Sequence, residues 1–287
     1  MTAKSIHSLL LLDPLLQSLF SLKENDLFFN RILNKKQIPS FLNDLHSENI
    51  DACFSEYEQK GIFAVTLADP DYPSLLKKIY HCPPVLYGAG KRELLSCRKK
   101  ISIVGTRVPT EEGRKAAELL VPALTESGWV IVSGLAKGID AMAHELAIGT
   151  GGRGIGVIGG GFWHLYPASS RKLAKSMMKE HLLLSEYAPE TAPERWHFPA
   201  RNRIIAGLSY GTLVIQAKLS SGSLITAHQA LEEGREVFAV PGPIHLEQSK
   251  GVNKLIQDGA KLVMKASDVD DEFPFLEKKG SFRQFTV

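Results

Sequence analysis

The sequence predicts an α/β fold, an extended Rossmann-like, doubly wound sheet preceded by a small N-terminal helical module. Three observations carry that expectation. Runs of strand length, apolar at nearly every position, recur between residues 62 and 242; segments with apolar residues at helical spacing separate them; and the connections after several runs are rich in glycine and small hydroxyl residues. Continuous apolar runs are what strands covered on both faces require, and their alternation with helices is the pattern of crossover connections.

Residues 1–60 place Leu, Ile and Phe at helical spacings between polar breaks such as "LKEND" and "NKKQIPS", which predicts the helical module. The proline-rich stretch "DPDYPSLLKKIYHCPPVLYGAGK" marks entry into a new domain, taken as 61–274. Its expected strands are "IFAVTL" (62–67), "ISIVG" (101–105), "WVIVSG" (129–134), "GIGVIGG" (154–160), "HLLLSE" (181–186), "TLVIQA" (212–217) and "EVFAVPG" (236–242). Segments 111–127, 139–149, 169–180 and 223–233 are the expected crossover helices, and "WHFPARNRIIAGL" (196–208) runs into a further, buried one. Residues 275–287 read as a short C-terminal tail.

A chain of 287 residues with 44% hydrophobic and 23% charged content holds a sizeable core and argues against wholesale disorder. The net charge of +3 neither demands nor excludes a nucleic-acid partner. Its distribution is more informative: Lys99 to Lys218 holds fifteen Lys and Arg against ten Asp and Glu, so the middle of the chain is electropositive. Three cysteines, Cys53, Cys82 and Cys97, are too few and too dispersed for a disulfide framework or a zinc site, and a reducing cytoplasm fits them best. The opening "IHSLLLLDPLLQSLFSL" is broken by Asp13 and Pro14, which argues against a signal peptide, and no apolar stretch reaches the ~20 residues that span a bilayer.

In a doubly wound sheet the ligand site forms where loops gather at the carboxyl ends of the strands. After the run ending at Gly105, Arg107 precedes a helix that Thr110 is placed to cap. It reads either as a solvated surface arginine or as a cation ready for phosphate. In "SGLAKGIDAMAHELAI", Gly134 and Gly138 serve a tight turn or close backbone approach to a ligand, with Lys137 between them. "GIGVIGGGFWHLYP" contains G-x-G-x-x-G, but Gly154 and Gly156 fall inside the strand, so the dinucleotide fingerprint does not apply. Gly160 lies in the turn, and Trp163 beyond it is either core or a stacking platform.

In "WHFPARNRIIAGL", Pro199 suits a helix start and puts Arg201 and Arg203 in the first turn, where the macrodipole disfavours cations. Two arginines there imply a bound anion or a neighbouring carboxylate, with Glu186 as the carboxylate to hand. Asn202 is a candidate for a base, a phosphate or the backbone, and Phe198 for a base. His197 reads as a structural histidine, since no nucleophile neighbours it in sequence. In "AKLSSGSLITAHQALEEG", Lys218 supplies charge while Ser221, Gly222 and Ser223 supply a cap and free N–H groups. The small residues serve the cap alone or a phosphate as well. A row of cations with aromatics between them is the pattern of a site for a nucleic-acid backbone.

"SIVGTR", "VIVSGLAKGIDAMAH", "GVIGGGFWHLYP", "LLSEY", "HFPARNRIIAGL", "SGSLITAHQALEEGREVFAVPG" and "LIQDGAKLV" occur in the order typical of the DNA-processing proteins DprA, or Smf, and over roughly 60–272 the chain resembles that family. The resemblance implies a cytoplasmic bacterial protein of natural transformation. Such a protein binds single-stranded DNA without strong sequence preference, protects it and helps load the RecA recombinase. It also implies an extended Rossmann domain that usually forms a homodimer; no catalysis on DNA, no cofactor and no metal are expected, and 275–287 is expected to lack the winged-helix module that many relatives carry at the C-terminus. The arginine of the family's G-[ST]-R motif falls on Arg107; other pocket cations fall in the same loops as Lys137, Arg201, Arg203 and Lys218. The stretch Ile225 to Ile256 is where the resemblance would put dimer and RecA contacts.

A second reading is a nucleotide hydrolase, because the fold is similar to that of the LOG-type phosphoribohydrolases. Their P-G-G-x-G-T-x-x-E signature is replaced here by "SSGSLITAHQ", which lacks the glutamate; Glu145 and Glu186 are the nearest acids. A third, a protein adaptor, leaves the cationic loops without a use.

Overall fold

A computed structural model of the chain describes residues 3–13, 16–47 and 50–276. Residues 277–287, most of the expected tail, lie outside that description. Four helices come first, α1 (Ala3–Leu12), α2 (Glu24–Phe29), α3 (Ile38–Ser47) and α4 (Ile50–Gln59). Leu9, Leu27, Ile32, Leu33 and Ile38 form a small apolar cluster of their own. His7 ties α1 to the rest of the fold, its Nε2 lying 2.8 Å from the Cys82 carbonyl oxygen.

The remaining elements, in chain order, are β1 (Ile62–Thr66), β2 (Val85–Gly90), β3 (Lys100–Val104), α5 (Glu111–Glu126), β4 (Val130–Ser133), α6 (Ile139–Gly149), β5 (Arg153–Ile158), α7 (Arg171–Glu180), β6 (Leu182–Ser185), α8 (His197–Leu208), β7 (Gly211–Val214), α9 (Gly222–Glu232), β8 (Glu236–Ala239), α10 (Lys250–Gln257), β9 (Lys261–Leu262) and α11 (Ser267–Asp270). The strands build one nine-stranded sheet in the order β1-β2-β6-β5-β4-β3-β7-β8-β9. From β6 to β9 every pairing is parallel, whereas β1 and β2 are antiparallel to each other and β2 is antiparallel to β6.

The sheet is therefore mixed, which corrects the expectation that the 62–67 run joins a parallel sheet. It instead forms a hairpin with β2, a strand that the sequence hides because "VLYGAG" holds two glycines, poor strand formers. The two-residue β9 is also absent from the expected strands. Elsewhere the apolar runs and helical segments fall on the observed elements with small shifts at their ends.

Both faces of the sheet are covered, the reason its strands are apolar throughout. On one face α5 and α6 contribute Ala117, Leu120, Leu124, Ile139 and Ala143 against Ile101, Ile103 and Ile131. On the other, α8, α9 and α10 contribute Ile204, Ile205, Ala227, Ala230 and Val252 against Val104, Val132, Val157 and Val214. From β3 the chain winds outward through β4, β5 and β6, then returns to place β7 on the other side of β3. The loops after β3 and β7 thus diverge from a topological switch point, where a crevice must open. Among the described residues no helix is long and apolar enough to cross a membrane.

Candidate functional site

The crevice is real: a cleft of ≈ 620 Å³ at the carboxyl ends of β3 and β7, walled by the amino-terminal parts of α8 and α9. The loop after β3 reaches it because Gln216 holds that loop from the end of β7. The Gln216 carbonyl accepts from Thr106 N at 2.7 Å, its Oε1 accepts from Thr110 N at 2.9 Å, and its Nε2 donates to Thr110 Oγ1 at 2.8 Å. Thr110 in turn caps α5, accepting from Gly113 N. Gly138 packs on the same loop from the α6 side. Its φ of +91° suits glycine, and a Cβ there would collide with the Thr106 and Arg107 backbone. Gly105 likewise lies against Ile139. Held in this way, Arg107 projects exposed over the cleft.

On the opposite wall Ser221 caps α9, accepting from Ser223 N at 3.4 Å, and its hydroxyl lies 2.8 Å from that of Ser223. Gly222 stands in the open at the first turn of α9, so the positive helix end faces the cleft. Lys218, exposed, adds a full charge. Asn202 braces the two helices: its Nδ2 donates to Gly222 O at 3.5 Å and its Oδ1 accepts from Arg201 Nε at 3.2 Å.

Arg201 corrects the sequence reading. Helix α8 begins at His197, so Arg201 and Arg203 fall in its second turn. Arg201 is 5% exposed, and its Nη1 donates to the carbonyls of Gly134, at 2.7 Å, and Val157, at the ends of β4 and β5. Burial pulls its guanidinium down to about 10, offset by the neighbouring carboxylate of Asp140. Burial pushes Asp140 itself up to about 6, while Arg201 and the N–H groups of Gly105, Gly134 and Ala136 pull it back. Arg201 and Asp140 thus form a floor whose charges answer each other, and Gly134 is glycine because a Cβ would meet the guanidinium at 2.7 Å.

Arg203 has its anion too. Its Nη2 lies 2.6 Å from Glu186 Oε1, in a half-buried pair away from the cleft lining, so the neighbouring-carboxylate alternative is the one the structure takes. Trp163 is also displaced from the cleft. Lys60 Nζ sits 4.0 Å over its ring and Tyr57 meets its edge, so the indole joins α4 to the sheet. Gly160 packs against Pro193, outside the cleft. Lys137 lies in an adjacent groove of ≈ 600 Å³ that Arg107 and Arg114 also line. The strand glycines noted in the sequence make room for side chains: Gly154 faces His144, and Gly156 faces Leu135, itself at a φ of +52°.

Two cleft residues escaped the sequence reading. Arg195 is exposed on the cleft wall, one residue before the stretch singled out, and Tyr166 forms the far lip with its ring 5.5 Å from that of Phe198. An arginine beside a helix-start motif and a tyrosine in "HLYP" were the available signals. Together the cleft presents three cations, Arg107, Arg195 and Lys218, that among the described residues have no ion-pair partner, beside an aromatic pair.

Fold and cleft define the class: a Rossmann-like α/β protein with an open, cation-rimmed crevice at the switch point of its sheet. Residues 63–274 match the family of the DNA recombination-mediator protein A, and the chain belongs to that family. It is 53% identical over 218 residues to the DNA processing protein DprA of Bacillus subtilis, covering 76% of this chain and 73% of that one. With DprA of Streptococcus pneumoniae it shares 45% identity over 237 residues, 83% of each chain. The X-ray structure of the S. pneumoniae protein superposes with a TM-score of 0.85 over 95% of this chain and 93% of that one, at 40% identity. A structure of DNA processing protein A from Helicobacter pylori, described for its single-stranded DNA binding mode, gives a TM-score of 0.66 at 30% identity, covering 74% of this chain and 96% of that one.

Proposed function

We propose that this chain binds single-stranded DNA along the cleft, as a DNA-processing protein of natural transformation. The observation that carries the reading is the rim of three cations, unpaired among the described residues, with the Tyr166–Phe198 pair beside it. Cations meet phosphates and aromatic faces stack on bases whatever their identity, which makes a sequence-tolerant single-strand site. The helix α9 N-terminus with Ser221, Gly222 and Ser223 adds uncharged donors to a phosphate. Support comes also from the H. pylori relative, whose single-strand binding is named with its structure.

In this reading residues 61–274 are the binding unit, the protein works as a cytoplasmic homodimer, and it hands the protected strand to the RecA recombinase. Ile225, 42% exposed at the cleft edge, and Leu231, 53% exposed on the same helix, are candidates for those protein contacts. No chemistry on the strand is required. Among the described residues the one carboxylate lining the cleft is that of Asp140, which already accepts from the N–H groups of Gly105, Gly134 and Ala136 and answers the nearby Arg201 charge.

The test is fluorescence anisotropy of labelled oligo(dT) against wild type and an Arg107→Ala, Arg195→Ala double variant, with a duplex control. Tight, single-strand-selective binding that the double variant loses is the expected result. Undiminished binding by the variant moves the site elsewhere. Release of free base from a nucleoside monophosphate by the wild type would favour the hydrolase reading instead.

A further inference from the structure

At the end of the sheet opposite the cleft lies a second cavity, of ≈ 230 Å³, whose lining includes Asp71, Ser74, Ser96, Arg98, Lys100 and Tyr210. Lys100 opens β3 and Tyr210 immediately precedes β7, so the cavity sits at the amino ends of the two strands whose carboxyl ends make the cleft.

Lys100 is an unusual residue for such a place. It is only 3% exposed, and its Nζ donates 2.8 Å to the Leu95 carbonyl. That is one acceptor for three N–H donors. Among the described residues no carboxylate pairs with it. Asp71, which also lines the cavity, is taken by Arg92 at 2.6 and 3.1 Å. Burial draws the ammonium down to about 8, partly offset by the neighbouring Cys97 thiol. A buried charge without a counter-charge is costly, and an anion supplied from solution would remove that cost.

The other charged groups around the cavity point the same way. Arg98 is exposed on its wall with no ion-pair partner among the described residues. Arg235, outside the lining, holds the wall residue Leu75 by donating to its carbonyl at 2.9 Å, and among the described residues its buried Nε has no partner. Cys97, half-buried, accepts a weak contact from Arg153 at 3.6 Å. We propose that this cavity binds a small oxyanion, a phosphate or carboxylate group, with Lys100 as its buried anchor and Arg98 as its outer arm. Serine hydroxyls from Ser74 and Ser96 at the wall suit the remaining oxygens of such a group.

The experiment is an amide chemical-shift titration of the full-length 15N-labelled protein, without DNA. Sodium sulfate, inorganic phosphate and sodium acetate are the probes, with sodium chloride holding ionic strength constant. Saturable shifts confined to residues around 71–75, 95–100 and 210 are expected; the preferred probe distinguishes a phosphate-type from a carboxylate-type ligand. Lys100→Met should weaken binding roughly tenfold or more, as loss of a charge-assisted contact requires, and Arg98→Ala should weaken it less. In wild type, sulfate affinity should fall close to tenfold between about pH 7 and pH 9, because Lys100 then loses its proton. Sulfate itself does not titrate there, and the fall should persist in Cys97→Ser, which removes the thiol beside Lys100; the other groups facing the cavity are Arg98, Tyr210 and Asp71, the last paired to Arg92. Shifts that fail to saturate with all three probes overturn the proposal. So does a Lys100→Met protein that binds as wild type. Should that variant not fold, the pH series and Arg98→Ala decide alone. The site is separate from the cleft, so its result stands whichever way the oligo(dT) test falls.

Discussion

The electrostatic rim of the cleft sets a number that can be measured. For single strands, log K falls with log salt at about 0.7 per phosphate neutralised. If Arg107, Arg195 and Lys218 each meet one phosphate, the wild-type slope is about −2, and affinity drops roughly twentyfold between about 50 and 200 mM salt. Arg107→Ala removes one such contact, so its slope falls to about −1.4 and the same change of salt costs only about sevenfold. Arg203→Ala also removes a positive charge, but one already answered by Glu186 outside the cleft. It should keep the wild-type slope. The assay is anisotropy of labelled oligo(dT) at several sodium chloride concentrations, with folding of each variant checked by circular dichroism. Equal slopes for Arg107→Ala and wild type would refute the reasoning, as would an Arg203→Ala slope reduced as far as that of Arg107→Ala.

Three further outcomes are expected. Tyr166→Ala removes a stacking face without a charge, so affinity should fall by about 1–3 kcal/mol while the salt slope stays at its wild-type value; the same titrations measure both. Arg201→Leu leaves two strand-end carbonyls without their donor and the buried Asp140 without its nearby positive charge, which should cost about 3–5 kcal/mol in urea unfolding. The third concerns acid. Burial pushes His144 down to about 4, so the stability that its neutral ring confers is complete above its ordinary value of 6.5 and is lost as pH falls towards 4. Asp140, raised from 3.8 to about 6, has the opposite sign: its contribution is complete below 3.8 and is lost as pH rises through 6. Each is worth about 3 kcal/mol, so the two offset in wild type between about pH 6.5 and 4. Asp140→Asn should uncover the histidine, with stability falling by about 3 kcal/mol over that window. A flat profile in Asp140→Asn would count against the His144 assignment.

Much of this was legible in the sequence, and the parts that were not share a cause. Strands buried on both faces announce themselves as unbroken apolar runs, and the loops after Gly105, Ser133 and Ala217 could be placed at one sheet edge from element order alone. What a cation does there depends on partners distant in sequence. Arg201 reads like Arg107 until the fold brings Asp140 and the Gly134 and Val157 carbonyls around it. For Arg203 the sequence offers an anion or Glu186, and only side-chain geometry decides between them. Strand β2 is silent in the sequence because its glycines erase the propensity signal. One of them, Gly88, pairs with Phe63 and leaves room for that ring, a reason visible only across the hairpin.

The packing beneath the cleft has a consequence for how the chain can change. A side chain at position 134 would strike the Arg201 guanidinium, one at 156 would strike Leu135, and Asp140 is tenable only while Arg201 stands beside it. Substitutions here therefore have an order. Gly134 accepts a larger residue only after Arg201 has been shortened, and Arg201 is safely shortened only once Asp140 has become neutral. A library that samples Gly134 or Arg201 alone will record each as intolerant. One that begins at Asp140 and proceeds through Arg201 to Gly134 should find a passable route.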